Sequence, residues 1–200
     1  MKLTKILGVV AAAAMALMAF ASTASATTLE VGGVKQPGPV TIHATLESGS
    51  SAILKDTAGA FANTCTESTV EGHTESPYTA AGTNPIGGPI TTLTFSKCTE
   101  EPVVVDLPGR LTVSWIKGTT NGTIRSIGAK VTSPSPFGAL TCVTATSPGT
   151  DIGTLTGKPL SSEHATIDIN AVLNCGFFLP SAKWEGTYTA TSPTGLAVTE

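Results

Sequence analysis

Three carboxylates and an imidazole fall within Glu67-Ser-Thr-Val-Glu71-Gly-His73-Thr-Glu75, the densest titratable stretch of the chain. Carboxylate oxygens and imidazole nitrogens are donors that Ca²⁺ or Zn²⁺ accept. Calcium loops, however, place Asp or Asn at alternate positions before a glycine turn, and that spacing is absent. Glu67, Glu71, His73 and Glu75 are thus a weak metal candidate beside a simpler reading, a solvated acidic edge that discourages strand-to-strand aggregation. His43 and His164 sit on predicted polar strand faces. Asp168 shares the face of His164 but lies about 13 Å along the strand, too far to share a metal. The nucleophile motifs G-x-S-x-G, H-E-x-x-H and S-x-x-K and a Gly-rich phosphate loop are all missing. A glycosidase pair drawn from Glu100, Glu101, Asp106 and Glu163 stays open, but neighbouring Glu100 and Glu101 point to opposite faces of a strand. The chain reads as a non-enzyme with no catalytic residue and no cofactor.

Aromatic side chains offer the better binding chemistry. Trp184 and Tyr188 lie on one face of a predicted strand, and Trp115 closes another. Rings stack on sugars and on apolar ligands, which makes Trp115, Trp184 and Tyr188 the possible ligand-binding residues. In a chain with two Trp and two Tyr the same rings also serve as core anchors. Phe177-Phe178 would place one ring on each face of a strand.

These residues must be carried by strands. Apolar and polar residues alternate along Val40, Ile42, Ala44 and Leu46, along Val103, Val105 and Leu107, and along Leu111, Val113 and Trp115. The same period recurs in Ala165, Ile167, Ile169, Ala171 and Leu173, and in Trp184, Gly186, Tyr188 and Ala190. Pro37-Gly38-Pro39, Gly87-Gly88-Pro89, Pro108-Gly109, Pro148-Gly149 and Pro193 punctuate the chain, and Asn121-Gly122 signals a hairpin. Residues 51–62 are the one place for a short helix. Residues 76–89 and 132–138 read as loops, the latter bridging two halves. The expected fold is all-β, an antiparallel β-sandwich or barrel of roughly 9–11 short strands with two disulfides.

Cys65, Cys98, Cys142 and Cys175 are separated by 33, 44 and 33 residues. No C-x-x-C or Cys/His cluster supports zinc or redox chemistry. The equal gaps favour Cys65–Cys98 and Cys142–Cys175, each worth about 3.5–4 kcal/mol in loop entropy. At an offset of 77, Thr64-Cys65 falls on Thr141-Cys142, and Ile90 and Cys98 on Ile167 and Cys175. That leaves open two similar halves, about 35–120 and 121–200, or a coincidence.

Lys2 and Lys5, the apolar run from Ile6 to Phe20 and Ala24-Ser25-Ala26 predict a signal peptide over residues 1–26 and a single β-domain over 27–200. The run is too short to span a bilayer, so no membrane insertion is expected after cleavage. Removing Lys2 and Lys5 from eleven basic residues leaves 9 against 14 acidic, a net charge of −5. Such a surface repels nucleic acid.

The layout resembles small exported bacterial all-β proteins of poorly defined role, including those named alkane oxidation activators. The likeness runs through Thr64-Cys65, Gly88-Pro-Ile-Thr-Thr-Leu-Thr-Phe-Ser-Lys-Cys98, Leu107-Pro108, Leu111-Thr-Val-Ser-Trp115 and Gly153-Thr-Leu-Thr-Gly157. It implies an envelope or extracellular role and transfers no site.

The residues together lead to a non-catalytic secreted structural or interaction protein of the bacterial envelope or extracellular matrix, facing an unidentified surface, protein or glycan. The alternative is an extracellular module that binds a glycan or an apolar small molecule through exposed aromatics. A non-reducing peptide map should recover Cys65 linked to Cys98 and Cys142 to Cys175; a Cys65–Cys142 peptide overturns the pairing.

Overall fold

The computed structural model describes residues 27–58, 61–75, 85–136, 138–177 and 179–200; the expected signal peptide lies outside them. Fifteen strands and no helix occur among the described residues. They are β1 (Thr28–Val31), β2 (Val34–Lys35), β3 (Thr41–Leu46), β4 (Ala52–Asp56), β5 (Ala62–His73), β6 (Ile86–Cys98), β7 (Val104–Leu107) and β8 (Arg110–Trp115). β9 (Gly122–Ile127), β10 (Lys130–Ser133), β11 (Leu140–Val143), β12 (Thr150–Thr156), β13 (Thr166–Leu173), β14 (Ala182–Ser192) and β15 (Leu196–Thr199) follow.

Eight strands in the order β13-β12-β9-β8-β6-β5-β3-β14 form one antiparallel sheet, and β14 pairs back onto β13. The sheet is closed, so the all-β expectation resolves to a barrel and not a sandwich. Closure removes the unpaired edges that an open sheet would present. Residues 35–120 supply β3, β5, β6 and β8, and residues 121–200 supply β9, β12, β13 and β14. The strands are more numerous than expected, and three are long: β5 has 12 residues, β6 13 and β14 11.

β3 and β4 run in line between β5 and β14. Thr45 pairs with Thr69 and Ala52 with Cys65, while Tyr188 pairs with Leu46 and Trp184 with Leu54. They act as one wall strand interrupted at residues 47–51. β4 therefore stands where a helix was expected over residues 51–62; cross-strand pairing on both sides decides the matter.

Three turn assignments also change. Gly87-Gly88-Pro89, expected in a loop, opens β6. A Cβ on Gly88 would lie 1.8 Å from the His73 carbonyl oxygen, and one on Gly87 2.1 Å from that of Leu111. These glycines are needed because β6 passes so close to its neighbours. The remainder of that loop, 76–84, lies outside the described residues. The β8–β9 hairpin forms, but its turn is closed by Thr119 N–H donating to Ile116 O at 3.1 Å, with Gly118 at φ +80°. Gly122 begins β9 instead, where a Cβ would meet Val113 Cγ1 at 2.3 Å. Residues 134–139 join β10 to β11 and bridge no halves, and Thr132 and Ser133 belong to β10. Phe177 is in a turn and 93% exposed and not in the strand expected for it; Phe178 lies outside the described residues.

Two small sheets, β15-β1-β2 and β11-β10-β7, complete the molecule. Cys65–Cys98 clasps β5 to β6, where the two residues face each other in register. Cys142–Cys175 ties β11 to the segment after β13. The pairing is the expected one, and it suits an oxidising compartment.

Gly88→Ala should lower unfolding stability by about 3 kcal/mol or more, because backbone cannot yield as a side chain does. Gly38→Ala, where a Cβ meets nothing within 4 Å, should be near neutral. Urea titration of both variants checks the contrast.

Candidate functional site in the barrel interior

Strand alternation sends Trp184, Gly186, Tyr188 and Ala190 of β14 inward, with Ile167, Ile169, Ala171 and Leu173 of β13. Ala44, Ala52, Ala171, Ala182 and Ala190 are buried, and with Gly186 they put little volume on the inner face of four adjoining wall segments. Eight strands enclose an interior just wide enough for ordinary side chains to fill or for one small ligand. Small residues on one wall leave it underfilled.

The result is an apolar cavity with two lobes of about 100 Å³ each. Val70, Ile90, Leu111, Ile124 and Ile167 line both and form the waist between them. One lobe is walled by Leu54, Leu93, Phe95 and Trp184, with Val131 and Cys142 from the β11-β10-β7 sheet. The other reaches Leu29, Leu196 and Val198 of the β15-β1-β2 sheet. Those three are buried, so this end is tightly capped. The opposite end is looser: Val103, Val105 and Val131 are half-buried, and Val143, a lining residue, is 47% exposed. Phe95 meets Trp184 edge to face, with ring centroids 6.0 Å apart.

Polar atoms facing the interior are satisfied within the protein. Tyr188 O–H donates to Ser68 Oγ at 2.9 Å. Asn63, 2% exposed, donates to Glu100 O and Ser133 Oγ at 2.9 Å each. Its Oδ1 accepts from Thr99 Oγ1 at 2.9 Å and Glu100 N at 3.0 Å, filling the amide's capacity. Ser126 Oγ meets Thr144 Oγ1 at 3.3 Å. Burial pushes the Tyr188 hydroxyl up to about 12, against the Ser68 hydrogen bond, so the ring stays neutral. Sequence reasoning missed Asn63 and Ser68. The alternation that would have revealed them breaks where Thr66 and Glu67 are both exposed between buried Cys65 and Ser68.

The residues singled out from sequence do not converge. Glu67, Glu71 and Glu75 take separate partners: Lys97 with Ser96, Thr92 and Arg110 respectively. The Lys97 hydrogen bond holds Glu67 below the usual carboxylate range, and the Arg110 hydrogen bond does the same for Glu75. His73 is exposed. Among the described residues no group of three His, Cys, Asp or Glu is placed to hold a metal ion. Glu100 and Glu101 are not in a strand; Glu101 Oε1 accepts from Cys98 N at 3.0 Å. Asp106 accepts from Thr132 Oγ1 at 2.7 Å, and Asp168 from Thr187 Oγ1 at 3.0 Å. His164 Nδ1 lies 2.9 Å from Ala190 O.

His43 pairs across the sheet with Glu71 and lies 2.7 Å from Thr191 Oγ1, a triad-like row on the outer face. Thr191 gives its proton to the His43 carbonyl at 3.2 Å.

Of the aromatics, Tyr188 is 2% exposed and presents no stacking face. Trp184 is half-buried against the cavity. Trp115 is half-buried at the end of β8, and its Nε1 donates to Thr119 O at 2.7 Å. An exposed aromatic row across β14 is thus not formed.

No family model, curated protein or solved structure matches this chain.

Because the folded pKa of Tyr188 lies above the unfolded value near 10, its stabilising contribution is complete below pH 10 and is lost as pH rises towards 12. Ultraviolet titration should show a tyrosine ionising near pH 12, with a parallel loss of stability. Tyr188→Phe should abolish both and cost about 1 kcal/mol at neutral pH by stranding Ser68.

Proposed function

We propose that this protein is a non-catalytic binding barrel, working outside the cytoplasm in the envelope or extracellular matrix, that holds a small apolar molecule in its interior. The observation that carries this reading is the two-lobed apolar cavity. A ligand there gains by leaving water, at roughly 25 cal/mol per Å² of apolar surface. Among the described residues it finds no buried side-chain donor or acceptor left unpaired to select a polar group. The size of the lobes suits a short alkyl chain or a single small ring: an engineered apolar cavity of about 150 Å³ takes up benzene or xenon. A glycan, rich in hydroxyls, would bury them unpaired and is disfavoured here.

The second reading is display, and one surface feature supports it. Thr156, Thr166, Thr189, Thr45, Thr69 and Thr94 stand in a single cross-strand row around six barrel strands. Neighbouring strands set the hydroxyls about 4.8 Å apart. A neutral belt of this kind, held on a disulfide-clasped scaffold, is a surface for another macromolecule.

Thermal-shift measurements with toluene, hexane and xenon separate the two. Ligand at 100 times its dissociation constant adds about 2.7 kcal/mol, which for a chain of this size raises Tm by about 5–10 °C. Val70→Phe, placed at the waist, should remove the shift while keeping the fold. No shift with any of the three overturns the binding reading and leaves display ahead.

A further inference from the structure

We infer that the looser end of the barrel docks on a phospholipid surface, and that the apolar ligand is taken up there; the second clause rests on the binding reading above. Eight large apolar side chains are exposed among the described residues, and five gather at this end: Val104, Leu107, Val143, Val172 and Phe177. Register joins them. Leu107 pairs with Lys130, Lys130 with Val143, and Val143 bridges to Asn174, which lies between Val172 and Phe177 in the chain. Val104 sits on the same face opposite Thr132. Phe177, 93% exposed, occupies a turn beyond the end of β13.

Two features identify the occupant as lipid. The patch is continuous with the cavity, because Val143 is both exposed and a lining residue, and neighbouring Cys142 and Leu173 also line that lobe. An apolar ligand has little presence in free water, so a rim that touches its apolar source shortens the transfer. Charge is the second. Lys130 lies 3.9 Å from Asp106, and Lys55 and Lys183 both bond Glu185, at 2.6 and 3.1 Å. One carboxylate serves two of these lysines, and exposed Glu100 and Glu101, beside Asn63 and Cys98 at the same end, offset the remaining charge, so this end lacks the basic cluster that anionic lipid or nucleic acid would call for. It matches the uncharged interface of a zwitterionic bilayer, where apolar side chains at the acyl boundary supply the binding energy.

The test is co-sedimentation of the oxidised protein lacking residues 1–26, the expected signal peptide, with phosphatidylcholine vesicles. Measurements at about 0.1 M and about 1 M salt span a fall in Debye length from about 10 to about 3 Å. Binding is expected at both. Phe177→Ser should weaken it about tenfold, the loss expected for one large buried apolar side chain. The double variant Val143→Thr/Val172→Thr should weaken it as well. Val34→Ser, exposed on the β15-β1-β2 sheet, should leave it unchanged. All of these variants should keep the toluene shift measured in vesicle-free solution, so that loss of docking is distinguished from loss of the cavity. Absence of vesicle binding, or equal binding by wild type and Phe177→Ser, overturns the docking inference. Binding abolished at high salt also overturns it, since charge would then carry the contact. A dimer in vesicle-free gel filtration that Phe177→Ser dissociates assigns the face to a second copy and likewise overturns it. Docking that persists without any toluene shift refutes the cavity reading alone and keeps the lipid surface.

Discussion

Closure of the sheet between β13 and β14 is the constraint on which the remaining features depend. An open nine-strand arrangement could flatten or splay to match its side chains. A ring of eight paired strands cannot, since every strand is held on both sides and the radius follows from strand number and tilt. The inner side chains must then fill a space they did not choose. Here several are alanine or glycine, concentrated on β3, β4, β13 and β14. Collapse is blocked by the backbone, and the shortfall remains as a void.

Such a void costs dispersion contacts along its lining, so a folded chain that keeps one has its stability supplied elsewhere. The two disulfides contribute part of it. The polar groups around the cavity contribute by being fully paired. Asn63 makes four hydrogen bonds that bind β5 to the turn after β6 and to β10. The bond from Tyr188 to Ser68 fastens β14 to β5 past the intervening β3. Among the described residues the interior is an apolar volume whose buried side-chain donors and acceptors are all paired.

The outer surface is organised on different terms. Charges stand in local pairs such as Glu75 with Arg110 and Glu185 with Lys55 and Lys183. Exposed pairs of this kind add little stability individually. Threonine rows fill the space between them, where β-branched side chains suit the pleat and keep their hydroxyls wet. The two ends break this uniformity in opposite ways. One is sealed by Leu29, Leu196 and Val198, with Val34 and Leu160 exposed outside the seal, and the other exposes valine, leucine and phenylalanine around the cavity.

Much of this was legible in the chain before folding. The inward rows of β3, β8, β13 and β14 follow from period-two alternation, because a strand in any half-buried sheet sends alternate residues to one side. The cysteine pairing followed from equal spacing and the absence of metal motifs, and the all-β class from composition and turn residues. What alternation does not encode is which strands are neighbours. β4 reads as a helix until β5 and β14 flank it, and Gly87-Gly88 reads as a turn until the carbonyls of Leu111 and His73 crowd against it. Asn63 and Ser68 look like ordinary polar residues, since nothing nearby in sequence announces Glu100, Ser133 or Tyr188 as partners. The void itself has no local signature at all. Individual alanines and glycines are common in strands, and only their meeting across a closed wall turns them into a cavity. Local sequence thus determined which faces are apolar, through a periodicity that each strand carries alone. Tertiary structure decided that those faces enclose a space, because closure and register are properties of pairs of strands distant in the chain.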